Sequence, residues 1–330
     1  MPTPPREDDA APSPFQAPLE VVHLGADELL AEVDQLLADA RDDIGAPAID
    51  EAEQERLRVL EAGGERPGSW RSALLRVGER DVAYVGVVLP YGQHSGVATG
   101  DAAVRRRLAD PAAVTAAALH AARGMVDDTD VRDLQVWIRA VGPAELEGIE
   151  AADGFVQRQL HVMARPLPAE DPVGRQALAD LDASGGRIRS CHLGKDDTEV
   201  VAILAEAYEG TDDGGWDRER FAARRTLPWF DAEDLLVAED ADGHLLGLHW
   251  LKRRGGAEGE VYNLAVRPGA QGRRLGPALL QAGLDHLADS GCDRVVLWVD
   301  GANERAVQLY QRHGFAIRST DVAVDVDLGA

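Results

Sequence analysis

Residues 260–315 decide the reading of this chain: Glu260-Val-Tyr-Asn-Leu-Ala-Val266, then Arg267-Pro-Gly-Ala270, then Gln271-Gly-Arg-Arg-Leu-Gly276. The first segment has the β-branched and aromatic character of a strand. The second is a turn, and the third runs into an apolar-periodic helix expected over Pro277 to Asp289. A second strand is expected over Arg294 to Val299. Asn303-Glu-Arg-Ala-Val-Gln-Leu-Tyr310 follows, and the stretch closes on His313-Gly314-Phe315. A strand that feeds a glycine-bearing turn opening a helix is a phosphate-binding device. The first-turn N–H groups have no partner inside the helix, and the helix dipole there favours anions.

Working outward, the chain has 330 residues, about two ordinary domains by length. It is 45% hydrophobic, enough for packed cores, and carries a formal net charge of -24. Such a charge repels nucleic acid and anionic membranes, so neither is expected as a partner. No apolar run approaches the roughly 20 residues a membrane span needs. Two cysteines, Cys191 and Cys292, make no disulfide framework and show no metal-ligand spacing. Isolated buried thiols in a reducing cytoplasm are the expectation, with no metal, and a monomer is the default. Residues 1–17 are rich in Pro, Asp and Ala without an apolar core, and read as a disordered tail rather than a secretory signal.

The Pro-rich acidic segment Arg165-Pro-Leu-Pro-Ala-Glu-Asp-Pro172 separates two halves of the same coarse element order. The expected division is 18–165, a linker over 166–186, and 187–330. In the first half, strands Ser72–Val77 and Val82–Leu89 precede a helix over Pro111–Ala122 and a strand over Leu134–Ala140. Gly154-Phe155 and a closing strand, Val156–Ala164, complete it. Alternating strands and helices give an α/β (α+β) architecture, duplicated. The first half lacks the phosphate device. Where the second half has Gln271 to Gly276, it has Ala109-Asp-Pro-Ala-Ala-Val114, with side chains in place of glycine and a like charge at Asp110.

The ordered set over 260–315 resembles the Gcn5-related N-acetyltransferase (GNAT) family. The resemblance implies two tandem GNAT-like domains, each a mixed, mostly antiparallel sheet flanked by helices, and acetyl-CoA as co-substrate. It implies that Gln271, Gly272, Arg273, Arg274, Leu275 and Gly276 surround the pyrophosphate. It also implies that the backbone of Leu264, Ala265 and Val266 holds the pantetheine arm. Arg274 stands where the family pattern has its first glycine, so it either crowds the phosphates or adds a cation that attracts them. Asn303 reads as a helix N-cap in any case, and the resemblance adds a contact from Asn303 and Ala306 to the CoA arm. Gly314 reads as the left-handed residue that ends that helix.

Tyr310 would ordinarily be core with a solvated hydroxyl. At this motif position the family uses it as the general acid for the departing thiolate. A phenol with a pKa of about 10 can protonate a thiolate whose acid has about 8.5 as the C–S bond breaks. Glu260, ordinarily a solvated strand-edge residue, falls where the family places a carboxylate base, often acting through water.

A tandem-domain branch of the family, the mycothiol synthases of actinobacteria, is more closely similar. The resemblance rests on Gly214-Gly-Trp216, Trp229-Phe-Asp231, Gly247-Leu-His-Trp-Leu-Lys252, Glu260-Val-Tyr262 and Leu297-Trp-Val299. It implies acetyl transfer to the cysteine amine of a small molecule, cysteinyl-glucosaminyl-inositol. Asp50, Asp212, Lys252, Glu260 and Trp298 are then expected substrate contacts. Trp298 replaces a Tyr and Asp212 a longer Glu, which leaves open another amine acceptor. A non-catalytic acyl-CoA-binding module is the competing class, and retention of both Glu260 and Tyr310 speaks for the enzyme.

Overall fold

A computed structural model describes residues 19–23, 30–64, 68–90, 96–107, 110–168, 171–211, 214–254 and 257–329; the tail expected over 1–17 lies outside them. The described residues up to Leu160, with those from Ser319 onward, form one compact unit, and His161–Arg318 forms a second.

The first unit contains β1 (Leu19–His23), α1 (Leu30–Ile44), α2 (Glu51–Glu61), β2 (Trp70–Val77), β3 (Arg80–Val88) and β4 (Val97–Val104). Then come α3 (Pro111–Gly124), β5 (Asp133–Ile138), α4 (Pro143–Ala151) and β6 (Gly154–Pro166), which continues past Leu160 into the second unit. The second unit holds α5 (Pro172–Ala183), β7 (Arg187–Ser190), α6 (Asp197–Ala207), α7 (Arg218–Arg224), β8 (Leu235–Glu239) and β9 (Leu245–Arg253). It ends with β10 (Glu258–Val266), α8 (Leu275–Asp289), β11 (Arg294–Asp300) and α9 (Glu304–Arg312), and β12 (Ala316–Val326) returns to the first unit at Ser319.

The strands of each unit are mostly antiparallel, with a parallel pair among them. In the first unit the strand order is β1-β2-β3-β4-β5-β12, with β4 and β5 parallel. In the second it is β7-β8-β9-β10-β11-β6, with β10 and β11 parallel. The closing strands are exchanged relative to the sequence reading. Val156–Ala164 was expected to close the first half, yet β12 lies against β5, from Val322 opposite Ile138 to Val326 opposite Leu134. β6 lies beside β11 instead. Both closing strands follow a short helix and a glycine, so local pattern does not determine which sheet each joins.

The second sheet buries both faces, as the side-chain alternation of β9 shows. Leu251 packs with Leu280, Leu284 and Leu287 of α8 and with Val295 and Leu297 of β11. Leu248 and Trp250 point the other way, to Val200, Ile203 and Leu204 of α6 and Phe221 of α7. Burying each such aliphatic side chain contributes about 1.5–3 kcal/mol.

The segment expected as a linker over 166–186 contains α5, which docks on α8. Pro172 sits at its first position and Asp171 caps it, accepting a hydrogen bond from Gly174 N at 3.0 Å. Ala177 and Leu181 meet Ala278 and Leu279 of α8. Arg175 grips Asp285 with two hydrogen bonds, 2.6 and 2.8 Å. Asp171 is also the hub of a buried cluster. His313 Nδ1 lies 2.5 Å from its carboxylate and Arg165 Nη1 lies 3.5 Å away.

Candidate active site

The site begins where two parallel strands part. β10 and β11 are in register only at Glu258–Arg294, Gly259–Val295 and Glu260–Val296. Beyond Glu260, β10 stays paired with β9, with Leu264 opposite His249, Ala265 opposite Leu248 and Val266 opposite Gly247. The β9–β10 register shifts between Val261 and Asn263, a bulge at Tyr262 that bends the strand. The β11 side of residues 261–266 is therefore an open wedge with backbone polar groups along one wall. The corresponding pair in the first unit, β4 and β5, stays in register over six residues from Val97–Asp133 to Ala102–Ile138.

The loop after β10 brings an uncapped helix N-terminus to this wedge. Gly272 has φ +81° and Arg274 φ +60°. Arg274 is the N-cap of α8 and makes no side-chain capping bond. Ala278 N donates to Arg274 O at 3.2 Å, the first bond of the helix, so the amides of Leu275 and Gly276 precede the ladder. Pro277 in the first turn removes a donor that would have had no helical partner. A Cβ on Gly272 or Gly276 would meet nothing within 4 Å, so both border open space. Leu275 is buried and anchors the turn, while Arg273 and Arg274 are exposed. Arg274 pairs with Asp180 of α5 at 2.9 Å. Gln271 Oε1 accepts from Arg305 Nη1 at 3.3 Å, linking the loop to the start of α9. Asn303 caps α9, its Oδ1 accepting from Ala306 N at 3.1 Å.

One face of β9–β11 gathers the expected acceptor-side residues. Glu260 lies opposite Lys252 across the β9–β10 pair. Its Oε2 accepts a hydrogen bond from Arg254 Nη1 at 2.8 Å. The Arg254 guanidinium lies over the Trp298 ring, 4.8 Å from its centroid. Lys252 Nζ lies 4.7 Å from the centroid of Trp229, and Trp229 packs against Tyr262 at 4.8 Å. The chemistry is a partnered carboxylate, two cations and broad aromatic faces, which suits a polar molecule with flat or polyol parts. Arg254 was not singled out in the sequence.

Tyr310, on α9, is 9% exposed and packs edge-on against Phe315 at 5.6 Å. Burial, with a smaller contribution from Tyr208, pushes its phenol well above the ordinary range. Tyr208, at the end of α6, donates its hydroxyl to Leu264 O at 3.4 Å and accepts from Asn263 Nδ2 at 3.3 Å. Neither Tyr208 nor Asn263 was singled out in the sequence.

Other expected residues lie elsewhere or have structural roles. Asp50 belongs to the first unit, where it caps α2 by accepting from Glu53 N at 2.6 Å and donates its own N–H to Asp101 Oδ1 at 3.2 Å. Asp212 lies outside the described residues. His249 faces α8 rather than the aromatic side. Its Nδ1 donates to Leu279 O at 2.8 Å, and burial lowers its pKa to about 4. It fits only because Gly283 has no side chain, since a Cβ there would come within 2.1 Å of the ring. Cys191 and Cys292 are buried, and burial pushes the Cys191 thiol up to about 12. Among the described residues, the one gathering of metal-type donors is Asp240, Asp242 and His244. It is a surface turn in which Asp240 already accepts from two backbone amides, at 3.0 and 2.9 Å.

The wedge between the parting parallel strands thus lies beside an uncapped helix N-terminus. Residues 198–315 match the acetyltransferase (GNAT) family. The whole chain has the fold of two tandem GNAT-like domains. It superposes on a GCN5-related N-acetyltransferase from Sphaerobacter thermophilus with a TM-score of 0.70, at 20% identity, covering 94% of this chain and 96% of that one. A tandem GNAT protein from the clavulanic acid biosynthesis pathway gives 0.62, at 18% identity, over 95% and 99%.

The sequence is more closely similar to particular enzymes. It is 40% identical to the mycothiol acetyltransferase of Stackebrandtia nassauensis, over 58% of this chain and 62% of that protein. The Salinispora tropica mycothiol acetyltransferase is 41% identical over 57% and 62%. The matched region thus spans less than two thirds of these relatives.

Proposed function

We propose that the second unit transfers acetyl from acetyl-CoA to the amine of a small molecule, and that the acceptor is cysteinyl-glucosaminyl-inositol, giving mycothiol. The observation that carries the reading is the parting of β10 from β11 after Glu260, beside the uncapped start of α8. Together these offer a pantetheine-length slot ending in an anion site, opening onto the face of Glu260, Lys252 and Trp298. Similarity to the two mycothiol acetyltransferases supports the choice of acceptor. A cytoplasmic setting, where acetyl-CoA is made and thiols stay reduced, suits this chemistry.

In this reading the amides of Gly272 to Gly276 hold the pyrophosphate. The freed backbone of Leu264, Ala265 and Val266 bonds the pantetheine arm and polarises the thioester carbonyl. Glu260 removes one proton from the acceptor ammonium, through water, whose pKa of about 8 makes a carboxylate base sufficient. The nitrogen attacks the carbonyl carbon, and the C–S bond breaks as Tyr310 gives its proton to the thiolate. The amide nitrogen releases its second proton, so one CoA thiol, one amide and one net proton are formed. Both cysteines are buried, and burial disfavours ionisation of their thiols, so transfer is direct within a ternary complex.

The test is thiol release from acetyl-CoA with cysteinyl-glucosaminyl-inositol, glucosaminyl-inositol lacking cysteine, and spermidine. Turnover of the cysteinyl conjugate alone is expected. Turnover of simple amines alone would remove the mycothiol assignment, and acetyl-CoA binding without turnover of any amine would favour a binding module.

A further inference from the structure

The bulge at Tyr262 turns Asn263 onto the aromatic face of the sheet, opposite Trp250 of β9. Its amide nitrogen donates to Tyr208 Oη at 3.3 Å. The Tyr208 hydroxyl has a single proton, and that proton is directed to Leu264 O at 3.4 Å. The hydroxyl must therefore accept from Asn263, which fixes the amide orientation: nitrogen toward Tyr208, oxygen away from it. Asn263 Oδ1 is buried and has no hydrogen-bond partner. A buried amide oxygen without a donor is costly, and such a group is retained where something else supplies the donor.

We propose that Asn263 Oδ1 is a positioning and specificity group that accepts an N–H of the attacking amine. The inference rests on the acetyl-transfer reading and deepens it. Asn263 immediately precedes Leu264, where the slot for the pantetheine arm begins, and its side chain lies on the acceptor face rather than in the slot. Glu260 is three residues back, about 10 Å along a strand, so it reaches the nitrogen through water while Asn263 stands beside the thioester. After Glu260 has taken one proton, the nitrogen carries two N–H bonds and a lone pair. Holding one N–H on Asn263 Oδ1 leaves the lone pair directed at the carbonyl carbon. Tyr208 orients the amide and does not touch the reacting atoms. A neutral acceptor at this position holds a nitrogen that still bears hydrogen after deprotonation.

The pantetheine arm also carries N–H groups, and the experiment separates the two sources. Asn263→Val, Asn263→Asp and Tyr208→Phe are compared with wild type. The measurements are kcat and KM for cysteinyl-glucosaminyl-inositol, calorimetric Kd for acetyl-CoA, and thermal midpoint. Asn263→Val is expected to lower kcat/KM for the amine roughly ten- to hundredfold with an unchanged acetyl-CoA Kd. Asn263→Asp, which keeps an acceptor oxygen, is expected to restore most of that loss. Tyr208→Phe is expected to show a smaller loss. The proposal is overturned if Asn263→Val keeps wild-type amine kinetics, or if its loss appears as weaker acetyl-CoA binding. It is equally overturned if Val and Asp lose activity alike along with thermal stability, which marks a packing role. Absence of amine turnover by the wild type would sink the acetyl-transfer reading, and this inference with it.

Discussion

Arg274 holds a backbone conformation that glycine would adopt freely. Its φ of +60° costs a side-chain-bearing residue about 1–2 kcal/mol. Its ion pair with Asp180 is half exposed on both sides and worth less than that. Arg274→Gly is therefore expected to leave the protein unchanged or up to about 1 kcal/mol more stable in urea unfolding. A loss beyond 1 kcal/mol would show that the Asp180 pair outweighs the strain. Tyr310 gives a sharper expectation. Tyr310→Phe should lower kcat/KM by about 10²–10⁴-fold, as for a lost general acid. Because burial raises the phenol, it stays protonated through the ordinary phenol range. The acid-dependent step should therefore not fall off on the alkaline side until pH exceeds about 10. The sign for stability follows: above that pH the unfolded tyrosine ionises while the folded one does not, so stability falls. An alkaline limb near pH 8 that vanishes in Tyr310→Phe would refute this assignment. Much at this scale was legible from sequence. Asn303 caps its helix, and Gly314 ends it at φ +79°, because caps depend on a few neighbouring residues. The Arg254–Glu260 pair and the Tyr208–Asn263 contact were not legible. The first depends on the β9–β10 register and the second on the bulge after Val261, neither of which side-chain alternation alone reveals.

Helix α5 shows how an element can be hidden by its own boundary signals. The prolines and acids before it read as a linker, yet Pro172 and Asp171 are also a helix start. What distinguishes the two readings is tertiary: Ala177 and Leu181 find the α8 surface. Asp171 ties this start to the end of α9 through His313 and to the end of β6 through Arg165. Its backbone bond from Gly174 and these two partners outweigh the cost of burial and hold its carboxyl below the usual range. Asp171→Ala leaves a buried guanidinium without its carboxylate and should cost about 3–5 kcal/mol in denaturant unfolding. The contribution of Asp171 is present above its unfolded pKa of about 3.9 and disappears as pH falls through the depressed folded value. The stability gap between wild type and Asp171→Ala should therefore be full at neutral pH and narrow only below about pH 4. A gap that is constant from pH 7 to pH 3 would mean that packing, not charge, is lost.

At the scale of the whole molecule, the duplicated pattern conceals a difference between the two units on which the proposed acetyl-CoA site rests. In the second, β10 and β11 part after Glu260 and the α8 N-terminus has no side-chain cap. In the first, Asp110 caps α3, its carboxylate accepting from Ala112 N at 3.0 Å and Ala113 N at 3.4 Å. A carboxylate thus occupies the amides that a phosphate would need. The strands β4 and β5 remain paired along six residues, leaving no slot. Arg139, just after β5, reinforces the closure, bonding Asp101 of β4 at 3.0 Å and Asp321 of β12 at 3.4 Å. The loss of glycine in this loop was visible in the sequence, but the closed strands were not, because strand separation is a property of pairing rather than of composition. Calorimetric titration of the full chain with acetyl-CoA is therefore expected to give one tight site. Asp110→Ala should leave the stoichiometry at one, since uncapping α3 frees amides without opening β4 from β5. Arg274→Asp in the second unit should weaken that one site, because it puts a like charge at the helix start proposed to hold the pyrophosphate. Two equivalent sites in the wild type, or a second site gained by Asp110→Ala, would show that the closed strands of the first unit open in solution.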